Sequence, residues 1–157
     1  MAENNGVFGC GYNSDMTPDA PKAHLTAAIW NWNVYYRTAM EAAMACGDAS
    51  NFVATMGTPA YYGGLAEGFV DVSPLSENCA AGTQEVVDTV KAMMVNGEWD
   101  VFSGVKLEIA ADGTVTKVDA ALMDNAGNEI VAAGGASVED GVITGTMNYY
   151  VAGVQEA

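Results

Sequence analysis

The sequence predicts an α/β fold that closes in antiparallel hairpins. Two short apolar runs near the start, residues 7–12 and 24–29, have the length and flanking breakers of buried strands. Two later segments, residues 30–45 and 83–96, repeat apolar side chains at three- and four-residue steps, the period of a helix with one buried face. Beyond Gly104 the period drops to two, which is the signature of strands with one covered side.

Each element has a local reason. The first run is "VFGCGY", small and apolar, and the polar cluster Asn13, Ser14, Asp15 ends it. Residues 13–21 read as loop, because Asp15, Thr17, Pro18, Asp19 and Pro21 all disfavour regular structure. The second run leads into a helix from Trp30 to Ala45, on which Trp32, Tyr35, Tyr36, Ala39, Met40, Ala43 and Met44 form one stripe. Gly47 suits a left-handed cap after it. "YYGGLAEGFVDVSPLS", residues 61–76, is glycine-rich and reads as an extended crossing segment. The next helix, residues 83–96, presents Val86, Val87, Val90, Met93 and Met94 on one face and stops at Gly97. Val105, Leu107 and Ile109 then alternate with Lys106 and Glu108, and Ala111, Asp112 and Gly113 turn the chain into a partner strand at 114–118. A second turn at 125–128 leads to residues 129–132, and the chain closes with "GTMNYYVAGV".

Composition narrows the function. With 157 residues the chain is of single-domain size, or a large piece of a two-lobed protein, and half of it is apolar, enough for a sizeable core. Five cations against 20 acids give a formal charge of −15, a field that repels nucleic acid and anionic lipid. No apolar stretch is long enough to span a bilayer. "MAENNGVFG" lacks the basic and apolar segments of a signal peptide, so the expectation is a cytoplasmic chain or one whose address lies upstream. Cys10, Cys46 and Cys79 make neither a disulfide framework nor a zinc motif, and isolated, mostly buried thiols are expected.

Catalytic signatures are missing. His24 is the only histidine, outside any HxxxH, HExxH or GxSxG pattern, and reads as structural. There is no P-loop, Gly6, Gly9 and Gly11 lack dinucleotide-binding spacing, and the aspartate-rich turns lack calcium-loop spacing. A binder without cofactor or metal is the expectation, not an enzyme. Asn13 and Asp15 stand just past a strand's carboxyl end, where open α/β sheets hold ligands. Their donors and acceptors suit a heterocycle edge or a sugar hydroxyl pair, while a turn role for the same residues competes. Trp32 fits the helical stripe and hence the core. Trp30, two residues earlier on the same predicted helix, does not, and is the better pocket wall.

The blocks "GYNSDM…APKAHLTAAIWNWNVYY", "YYGGLAEGFVDVSPLS" and "VKAMMVNGEWDVFSG" resemble, in order and spacing, the C-terminal half of the BMP family of ABC-transporter substrate-binding lipoproteins, relatives of the purine-nucleoside receptor. The likeness runs from about Gly6 to Gly104. It implies part of a type I periplasmic-binding-protein fold with flavodoxin-like lobes: residues 1–29 ending one lobe and crossing, 30–60 holding a helix of the other, 61–157 supplying a further crossing, a helix and the closing strands. It also implies an ABC permease partner and a lipid-anchored location on the periplasmic or extracellular face for a full-length parent, with signal and lipobox upstream. The nucleoside-binding branch has an aspartate where this chain has Asn13 and a lysine where it has Trp30. Both hold the ribose there. The expected ligand is therefore smaller and flatter, a purine base or nucleoside-like molecule. Asn13, Ser14, Asp15 and Met16 would line its site, with Trp30 and Trp32. Alternatives are a sugar-binding relative, or a truncated surface protein with exposed apolar edges that self-associates.

Overall fold

A computed structural model describes residues 1–154. The chain divides into two compact units, Met1–Ala81 and Gly82–Ala157. Both mix helix and strand, as the α/β expectation requires.

The first unit is built on a three-stranded sheet of order β1-β2-β3, comprising β1 (Gly9–Asn13), β2 (His24–Trp30) and β3 (Val70–Val72). β1 runs parallel to β2, with Gly11 opposite Ala27, Tyr12 opposite Ala28 and Asn13 opposite Ile29. The register slips between Gly9 and Gly11, where β2 carries one extra residue, a bulge that bends the strand. β3 is antiparallel to β2 and pairs Val70 with Trp30. Beyond β3 the pairing continues irregularly, as Ser73 N–H donates to Ala27 O at 2.8 Å and Ser76 N–H to Leu25 O at 2.9 Å. Residues 61–76, read as an extended segment, run beside β2 only in their second half, and only three of them are a strand. Gly64 to Phe69 instead close a turn in which the Gly64 carbonyl accepts from the Phe69 and Val70 amides.

Helix α1 spans Trp32–Ala45. The expected start at Trp30 is two residues early. Trp30 is held in the ladder by Val70, and Asn31 N–H donates to Phe69 O at 2.7 Å, so the strand persists to the last residue before the helix. A short α2 (Phe52–Met56) follows, in a stretch that has no apolar period to announce it, and Gly57 closes it with φ 75°. The core of this unit is thin: Ala23, Ala27, Ala42 and Phe69 are its buried apolar residues, joined by His24 and Ser73. The composition is sufficient for more burial than the structure achieves. The thiols are likewise less buried than expected, with Cys10 exposed, Cys46 and Cys79 intermediate, and none paired.

In the second unit α3 (Thr83–Val95) lies against a hairpin of β4 (Val105–Ile109) and β5 (Val115–Asp119). Ala110 N–H donates to Thr114 O and Gly113 adopts φ 85°, a three-residue loop that needs glycine at its left-handed position. A second hairpin joins β6 (Leu122–Met123) to β7 (Glu129–Val131), and Asp124 builds its turn by accepting from the Ala126 and Asn128 amides. The closing segment holds a helix, α4 (Asp140–Gly145), that the sequence did not announce.

Candidate functional site

The carboxyl ends of the parallel strands β1 and β2 place Asn13 and Trp30 at one sheet edge, one register step apart. Strand alternation puts Tyr12, Ala28 and Trp30 on one face and Asn13 with Ile29 on the other. The two site residues therefore border the same edge from opposite faces. Asn13 adopts φ 78°, in the left-handed region, the one non-glycine among the described residues to do so. Asparagine tolerates that conformation better than most residues, and it ends the alternation at the strand tip. Asn13 and Ser14 are exposed, and their side chains make no hydrogen bond to the described residues.

Asp15 is committed to the turn. Its Oδ1 accepts from Thr17 N–H at 2.9 Å and from Thr17 Oγ1 at 2.6 Å. Those two Thr17 bonds, with a smaller contribution from the nearby His24, hold its carboxyl below the ordinary aspartate value. Met16 turns inward, so that a β-carbon on Gly11 would stand 3.3 Å from Met16 Cγ. Of the four loop residues marked by sequence, Asn13 and Ser14 offer groups to solvent while Asp15 and Met16 shape the loop.

Trp30 sits in a chain of rings. Tyr12 meets it edge-to-face with centroids 5.0 Å apart, and Trp32 lies 6.4 Å away. From Trp32 the contacts pass to Tyr35, Tyr36 and Phe69, and Tyr61 bridges Tyr35 and Phe69. Trp30 and Trp32 do not share a helix as expected: Trp30 ends β2 and Trp32 begins α1. Trp32 also leaves the core position expected of it, being 49% exposed. Sequence reasoning missed Tyr12, whose place beside Trp30 follows from the parallel register and not from any local pattern.

A separate cleft of about 340 Å³ lies at the start of α1, lined among others by Asn31, Arg37, Glu41 and Glu67. Among the described residues no three His, Cys, Asp or Glu side chains gather in a way that could hold a metal ion.

Over 156 residues, 99% of this chain, the sequence is 28% identical to a purine-binding protein of Brucella abortus (strain 2308). The match covers 37% of that protein, so the chain spans little more than a third of the length of the curated relative it matches. No family model matches the chain.

Proposed function

We propose that this chain carries part of the purine site of a BMP-type substrate-binding protein, and that its ligand is a free base. The base stacks on the Tyr12 and Trp30 pair beyond the carboxyl edge of β1 and β2, while Asn13 and Ser14 hydrogen-bond its edge. The observation that carries this reading is that the aromatic pair and two exposed polar side chains, without hydrogen-bond partners among the described residues, border one sheet edge. A rigid indole offers a large π-face at little entropic cost, and an amide supplies the donor and acceptor that a heterocycle edge requires. The purine-binding relative supports the ligand class.

On this reading the protein binds without catalysis. In a longer parent it would deliver ligand to an ABC permease from a lipid-anchored position outside the cytoplasmic membrane. An indole in place of an ammonium and an amide in place of a carboxylate disfavour a ribose, so bases outrank nucleosides. Calorimetric titration with adenine, hypoxanthine, adenosine and inosine tests the ranking, and tighter binding of the nucleosides would refute it.

A further inference from the structure

His24 is 3% exposed, at the first position of β2. Its Nε2 is buried without a hydrogen bond, 3.3 Å from Asp15 Oδ1. That oxygen already accepts two bonds from Thr17, so the imidazole stands behind a turn that is otherwise complete. The ring is fixed from several sides. A β-carbon on Gly11 would lie 3.2 Å from its Cε1, so the imidazole is seated against a bare stretch of β1 backbone. The His24 carbonyl accepts from Ser76 Oγ and, at 2.9 Å, from Asn78 Nδ2, which fastens the residue to the segment after β3. Apolar filler would need none of these nitrogens.

We infer that His24 is a positioning residue: through Asp15 it holds the turn that sets where Asn13 and Ser14 stand at the sheet edge. Loosening Asp15 frees the loop directly behind those two residues. Asp15 is the charged group in contact with the imidazole; β1 presents Gly11 to it, and Ser76 and Asn78 reach only its backbone carbonyl. The remaining ionisable side chains on the loop and the segment after β3 are Asp19, Lys22, Glu77 and Cys79. The 3.3 Å approach of the buried imidazole nitrogen to the Asp15 carboxylate is the contact through which the ring steadies the turn. The effect on ligand affinity rests on the purine reading above; the effect on the loop does not.

The test uses the whole chain. Amide exchange at Thr17, whose N–H is bonded to Asp15, reports the turn, and adenine titration reports the site. His24→Phe keeps a ring without its nitrogens and should lower Thr17 protection about tenfold at unchanged global unfolding. It should weaken adenine about fivefold. His24→Gln restores a donor without a charge and should recover Thr17 protection to within about twofold. Thr17 protection equal to wild type in a folded His24→Phe overturns the inference. Should that variant not fold, Asp15→Asn decides, since it keeps an acceptor for Thr17 while deleting the charge. Paired with His24→Leu, a non-additive loss of Thr17 protection supports the inference, and strict additivity of the two losses overturns it. If the wild type binds no purine, the proposed function falls, and Thr17 protection alone decides the role of His24.

Discussion

Helices α1 and α3 carry apolar periods of equal clarity and meet opposite fates. On α3 the predicted stripe is the inner face: Val86, Val87, Val90, Met93 and Met94 are all partly buried, and the β4–β5 hairpin lies beneath them. On α1 the covered side is Val34, Tyr35, Thr38, Ala39 and Ala42, while Trp32, Tyr36, Met40 and Met44 form an exposed ridge at four-residue intervals. Tyr36 is 57% and Met44 84% exposed. The difference lies in the partner. The second unit folds a hairpin against its helix soon after the helix ends, and Trp99 Nε1 and Lys117 Nζ, donating to Val105 O and Glu98 O, fasten the hairpin to the loop that follows α3. The first unit sets only the short α2 and the 61–69 turn beside α1. A period shows that a helix has an apolar face; it does not show that the same chain covers it.

The comparison breaks most sharply at Gly104. Its carbonyl accepts from Ala120 and Gly134 and its amide donates to Gly135, so it knots the platform under α3. A β-carbon there would overlap the Ala132 carbonyl, which is backbone and has no room to yield. Gly104→Ala should cost about 3 kcal/mol of stability in denaturant unfolding. Next in size, Val90→Asp would place a charge on the covered face of α3 and should cost roughly 2 kcal/mol. Asp48, Asp112 and Asp124 stand below the ordinary aspartate value, each chiefly through hydrogen bonds to a neighbouring serine, threonine or asparagine. A depressed folded-state value means that their stabilisation is complete above 3.8 and is lost as pH falls below it, which acid titration of the circular dichroism signal should show. The smallest effect belongs to α1. Met40→Gln with Met44→Gln should change stability by less than about 0.5 kcal/mol, because neither side chain leaves water on folding. A large loss there would mean that the ridge is covered after all.

The same contrast marks how far the sequence could be read. Strands β2, β4 and β5 and helix α3 were legible because local period and turn chemistry agree with the packing. The run at 7–12, read as a buried strand, yields a strand only from Gly9 to Asn13, and Val7, Phe8 and Tyr12 are exposed. The start of α1 was not legible, since the strand keeps Trp30 through its ladder bonds to Val70, a partner forty residues downstream in the chain. Short helices α2 and α4 lack a period long enough to show. At the candidate site the sequence marks Asn13 as lying past a strand end, whereas it is the last residue of β1 and Ser14 is the first beyond it. The positions of Tyr12 and His24 depend on the parallel register and its irregularity between Gly9 and Gly11, which no local pattern encodes.

The central claim is that a purine base stacks on Trp30 at the edge held by Asn13 and Ser14. It is tested most directly by adenine quenching of indole fluorescence, with Trp99 in the second unit replaced by phenylalanine so that only Trp30 and Trp32 report. The account predicts saturable quenching that Trp30→Phe abolishes and Trp32→Phe retains, with affinity about tenfold weaker in Trp30→Ala. Quenching that survives the loss of Trp30 would contradict it.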